Sequence, residues 1–162
     1  YATHRNNFKE AEEKSEEIEI LLESLRSEIE KDKRLDIGSY KVAIQEYVEA
    51  LGYLKIMQNQ EIPTHKDLQI SPEYYLLGIC DLVGELGRAA SNAAINDNAE
   101  LVIKIRELVS KFHDEMMLMN LRNGELRKKA DGVRYELQKL DNLVFQLKKR
   151  CPLSLKFLKP VI

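Results

Sequence analysis

Ser71-Pro-Glu-Tyr-Tyr-Leu-Leu-Gly-Ile-Cys-Asp-Leu-Val-Gly-Glu-Leu-Gly-Arg88 decides the fold class of this chain. At about 100° per residue, Tyr75, Leu76, Ile79, Leu82, Val83 and Leu86 fall on one face, and Ala90 and Ala93 extend it. Asp81, Glu85, Arg88 and Asn92 project from the opposite face, with Tyr74 and Gly78 among them. That is the period of a helix with one core side. Ser71 supplies an N-cap oxygen, and Pro72 fits the first helical position, whose N–H has no intrahelical partner.

The same reading extends along the whole chain. Seven Gly, four Pro and no strand-like alternation of any length predict an all-α protein. A first helix is expected over roughly 6–32, with Phe8, Ala11, Ile18, Leu21, Leu22, Leu25 and Ile29 as its apolar stripe. A second is expected over 36–58, a connection over 60–70, and the third over 71–94. Asn96-Asp-Asn98 reads as a turn in which Asp97 and Glu100 have capping-box spacing. The fourth helix then turns Leu101, Ile105, Leu108, Phe112, Met116 and Met119 inward. A break at Asn123-Gly124 precedes a last helix whose Leu126, Ala130, Val133, Leu137, Leu140, Val144 and Leu147 form a four-three seam. Such a seam wants a partner helix, in its own bundle or in another subunit. The architecture expected is an antiparallel multi-helix bundle in one domain, 1–162, with an apolar segment 151–162 that docks somewhere, a neighbouring subunit included.

Composition excludes several functions. With 162 residues the chain has room for one ordinary domain. A net charge of −2 rules out a globally basic nucleic-acid binder. The charge is uneven, however: nine Lys/Arg against four Asp/Glu over 122–150, and seven against ten over 1–34. That asymmetry suits a C-terminal part that meets an anion, and it suits a plain amphipathic bundle as well. Cys80 and Cys151 have neither metal-binding nor disulfide-framework spacing, so a reducing, cytoplasmic setting is the default. No apolar run reaches membrane-spanning length, and no signal peptide is visible. The first residue is Tyr rather than Met, so further residues upstream are expected.

Two acidic pairs carry the candidate chemistry. Glu46 and Glu49 lie in Gln45-Glu-Tyr-Val-Glu-Ala50, and Asp81 and Glu85 in the stretch quoted first. Each pair sits three or four residues apart, so its carboxylates leave the helix on the same side. Four carboxylates from two helices suit Mg²⁺ or Mn²⁺, which prefer oxygen ligands and activate water for phosphodiester cleavage. Solvated acidic helix faces have the same spacing, and Arg88 beside Glu85 suits either a phosphate contact or a simple ion pair. The Glu-x-x-His ligands of a di-iron bundle are missing, because none of His4, His65 and His113 follows a Glu at that spacing. Arg127, Lys128, Lys129 and Arg134 are candidates for a phosphate track, or for a solvated helix face.

These blocks resemble the translin family. Gln45–Ala50 followed by Tyr75–Arg88 looks like the translin-associated factor X branch. Met119-Asn-Leu-Arg-Asn-Gly-Glu-Leu-Arg-Lys-Lys-Ala-Asp-Gly-Val-Arg-Tyr135 and Lys139-Leu-Asp-Asn-Leu-Val-Phe145 are similar to translin itself. The resemblance covers roughly 39–150. It implies helical subunits assembling into a closed homo-oligomeric shell, an octamer, that takes RNA or single-stranded DNA. It also implies a catalytic member of archaeal type, a Mg²⁺- or Mn²⁺-dependent endoribonuclease acting on single-stranded RNA or RNA ends. Glu46, Glu49 and Asp81 would be ligands, with Glu85 a ligand or the orienter of a water. The alternative is a non-catalytic scaffold for RNA or single-stranded DNA. Two departures stand out: the family's Gly-Asp turn is Asn96-Asp-Asn98 here, and its central insertion is shortened to 60–70.

Overall fold

The computed structural model describes residues 7–32 and 38–150. Five helices follow one another: α1 (Phe8–Lys31), α2 (Gly38–Met57), α3 (Pro72–Ile95), α4 (Ala99–Leu118) and α5 (Glu125–Arg150). There is no strand among the described residues, as the helical periodicity requires. The segment 151–162 and Cys151 lie outside the described residues, as do His4 and the first residues expected of the second helix. No described helix is long and apolar enough to cross a membrane. Contacts group the chain into two compact units, Tyr1–Leu82 and Val83–Ile162, with the boundary inside α3.

In the first unit, α1 packs on α2, and Leu22, Ile44, Tyr47, Val48, Leu51 and Leu54 are buried. The rest of the expected α1 stripe is not buried: Ile18, Leu21 and Leu25 are exposed, Leu21 at 63%. A single helix-on-helix contact covers only a narrow line of α1. The connection after α2 is tied down by polar bonds. Arg26 Nη2 donates to the Leu68 carbonyl, and the Tyr75 hydroxyl donates to the Pro63 carbonyl at 3.0 Å. The Asp67 carboxylate accepts from Thr64 Oγ1 and the Thr64 backbone N–H, which lowers its pKa. Burial pushes the Tyr47 and Tyr75 phenols up, with Glu19 adding to the effect on Tyr47 and Asp67 to that on Tyr75.

In the second unit, α4 packs along α5. Val102, Ile105, Val109 and Met116 are buried against Val133 and Leu140. Ile105 and Met116 are buried as expected, while Leu101 and Leu108 are half-buried and Met119 lies past the end of the helix, so the inward face of α4 is turned by part of a residue step toward Val102 and Val109. The start of α4 also differs from expectation. Asn98, not Asp97, is the N-cap, and its side chain accepts from Leu101 N at 3.1 Å. Asp97 serves α3 instead. Its φ is 56°, and Asn98 N donates to Ala93 O while Asp97 N donates to Ala94 O, the paired bonds of a left-handed helix C-cap.

Candidate carboxylate site and basic helix

The candidate carboxylate site is built on the crossing of α2 and α3 in the first unit. A Cβ added at Gly78 would lie 2.9 Å from the Gln45 carbonyl oxygen and 2.7 Å from Val48 Cβ. One at Gly52 would lie 2.6 Å from Leu82 Cδ2. Gly78 therefore admits the α2 backbone directly, and helix contact accounts for the missing side chain. Gln45, Val48 and Gly52 of α2 and Gly78 and Leu82 of α3 define the contact line. Gln45 is the buried polar residue there, and its amide donates to the Lys41 carbonyl at 3.3 Å.

Glu49 follows Val48 and Asp81 precedes Leu82 along the chain, and both residues are half-buried. Glu46 is exposed, further round α2. Glu85 stands one turn beyond Asp81 on α3, in the second unit, with its side chain 15% exposed and paired to the Arg88 guanidinium. Arg88 remains 75% exposed in that pair. Among the described residues, no group of three or more His, Cys, Asp and Glu side chains is gathered closely enough to hold a metal ion. Two neighbours escaped the sequence reading: buried Gln45 and Lys41, whose Nζ stands 6.0 Å from the Tyr74 ring. Their signal was only Lys41 one helical turn before Gln45.

The basic candidates divide. Arg127 Nε is 3.2 Å from Asp131, and Arg127 lines a small pocket with His113, Met116 and Met117. Lys129 is half-buried and engaged by other residues. Lys128 and Arg134 are exposed and form no ion pair with another described residue. Lys128 and Arg134 on α5 and Arg88 on α3 are thus exposed cations.

Three comparisons bear on the whole. A sequence profile described as the Translin family matches residues 2–150. Chicken (Gallus gallus) translin is 31% identical over 94 residues, which cover 58% of this chain and 39% of that protein. The chain thus matches well under half the length of that relative. The crystal structure of apo-NeC3PO superposes with a TM-score of 0.84 at 28% identity, covering 91% of this chain and 78% of that one. A complex of AfC3PO with duplex RNA superposes with a TM-score of 0.79 at 23% identity, covering 92% and 79%.

Proposed function

The chain belongs to the translin family, and from that premise we propose that it is an RNA-binding subunit that cleaves single-stranded RNA or RNA ends with Mg²⁺ or Mn²⁺. What supports the hydrolytic part is that Glu49 and Asp81, both half-buried, are sequence neighbours of Val48 and Leu82 at one close helix crossing. The RNA part rests on the family and on the exposed cations of α5. The AfC3PO complex supports the fold, and the RNA it holds is a property of that protein.

Two carboxylates suit a divalent cation only in part. Mg²⁺ is commonly held by one or two carboxylates together with waters and substrate phosphates, so a site completed by RNA fits this donor set better than a preformed cage. Glu49 and Asp81 would hold the ion. Bound there, it would supply a water of lowered pKa and offset charge developing on the phosphodiester. Glu46, exposed on α2, would accept a proton from a water or orient it. Glu85 is paired with Arg88, and loss of that pair would free the guanidinium for an RNA phosphate.

The exposed apolar residues of α1 support assembly with further copies, and an octamer of identical subunits is part of the proposal. So is a cytoplasmic setting, with which Cys80, buried and outside any disulfide, is compatible. Single-stranded DNA is a second candidate ligand for the same cations.

A specific observation favours the alternative, a non-catalytic RNA scaffold: the described residues hold no three-carboxylate group, and Glu85 is engaged by Arg88. One assay separates the two. Labelled single-stranded and duplex RNA are incubated with the chain in Mg²⁺, Mn²⁺ or EDTA, alongside the Glu49→Ala and Asp81→Ala variants. Divalent-dependent cleavage that both variants abolish, with RNA binding retained, is expected. Binding without cleavage under any divalent ion would establish the scaffold.

A further inference from the structure

Tyr135 stands on the side of α5 directly away from its core. Val133 and Leu140 mark the buried line, and at 100° per residue Tyr135 points almost opposite to both. Its side chain is 65% exposed. The core therefore does not explain this aromatic. The other exposed ring of the helix, Phe145, carries a cation over it, with Lys149 Nζ 4.5 Å from its centroid.

Gly132 adds a second, independent observation. It lies one turn before Tyr135, on the side over which a helical side chain at 135 leans. A Cβ built at Gly132 would meet nothing within 4 Å, so packing within the subunit does not require glycine there. A mid-helix glycine weakens a helix. Here it leaves open surface one helical turn from an exposed ring. The charges around this surface are sorted in the same sense. Asp131 is engaged by Arg127, and Glu136 by Lys139. Lys128, two turns before the ring, and Arg134 beside it are exposed without ion pairs to other described residues.

We infer that Tyr135 is a stacking platform for an unpaired base of RNA, with Gly132 clearing the space for that base and Lys128 and Arg134 holding the flanking phosphates. Aromatic stacking accepts any base because every base has a flat face, and cations along the helix track the backbone. The inference rests on the RNA-binding reading and adds to it a preference for unpaired nucleotides at a named surface.

The test measures affinity of the full chain for a labelled single-stranded oligouridylate and for a blunt duplex of equal length. Tyr135→Ala is expected to weaken single-strand binding by roughly 5- to 100-fold and to leave the duplex nearly unchanged. Tyr135→Phe should retain binding. Tyr135→Trp should also retain it and place the sole indole of the chain at the site, its fluorescence quenched on addition of oligouridylate. Gly132→Leu should keep or raise the melting temperature yet weaken single-strand binding, which a merely structural role would not produce. Equal loss for both RNAs, or no loss in Tyr135→Ala, overturns the inference. A fall in native mass in Tyr135→Ala would make this face a contact between subunits and overturn it too. Failure of the unaltered chain to bind RNA at all would bring down the RNA-binding reading first, and the inference with it.

Discussion

At the scale of single residues, the glycines of α3 separate by what surrounds them. Gly78 faces the Gln45 carbonyl and Val48 at distances no real Cβ tolerates, whereas Gly84 has nothing within 4 Å. Replacing both with Ala should therefore have opposite effects. Gly84→Ala gains helix propensity and should stabilise by up to about 1 kcal/mol. Gly78→Ala must push α2 away, and overpacking of that kind costs about 1–3 kcal/mol. Chemical denaturation of the two variants checks the signs. The consequence for function follows the same contact: moving α2 shifts Glu49 relative to Asp81, so Gly78→Ala should lose divalent-dependent cleavage at temperatures where it remains folded. Gly84→Ala should cleave as the parent does. A Gly78→Ala chain as active as the parent would mean that the crossing does not position the carboxylates.

Helix ends make the corresponding point at the scale of elements. Asp97 and Asn98 are adjacent and similar in chemistry, yet each serves a different helix. Asp97 occupies a left-handed position at the end of α3, which glycine adopts without a Cβ clash, while Asn98 caps α4 with its side chain. Asp97→Gly should stabilise by a few tenths to about 1 kcal/mol, and Asn98→Ala should destabilise by about 1 kcal/mol. Thermal melts of the two variants should move apart. The sequence places the turn correctly but assigns the cap to Asp97, because Asp97 and Glu100 match capping-box spacing and spacing does not reveal backbone φ. The partial rotation of α4 has a similar origin. Leu101, Ile105 and Leu108 and Val102, Ile105 and Val109 are two overlapping apolar lines, and only the partner α5 selects the second. Five helices and their order were legible because each carries a periodic stripe bounded by Pro, Gly or Asn. The candidate site was legible only as residue types. Spacing puts Glu46 beside Glu49 and Asp81 beside Glu85, but it contains neither the exposure of Glu46 nor the Arg88 pair that holds Glu85. Periodicity puts Gly78 on the acidic face of α3 and does not contain the approach of the α2 backbone to it.

At the scale of the whole molecule, the apolar residues that no described element covers matter most. Ile18, Leu21 and Leu25 share one side of α1 and are exposed, while Leu22 on the neighbouring side anchors the helix to the first unit. A stripe of three large aliphatic residues in water is unfavourable by an amount that burial against another copy removes, about 25 cal/mol for each Å² covered. Replacing Leu21 and Leu25 with Glu should leave helix content unchanged, because neither belongs to the buried line, and should lower the native mass. RNA binding should change in a linked way. The chain carries a net charge of −2, so its attraction for a polyanion depends on local cations such as Lys128 and Arg134 rather than on its overall field. Each subunit offers few such contacts, and an assembly that presents several sets to one RNA gains affinity through effective concentration. The slope of log affinity against log salt counts the phosphates neutralised. It should therefore be steep for the parent chain and shallower for the Leu21→Glu, Leu25→Glu variant, in step with the loss of mass. A variant that falls apart while keeping the parent's slope would mean that one subunit holds the whole RNA contact. An unchanged mass would mean that the α1 stripe is not where copies meet.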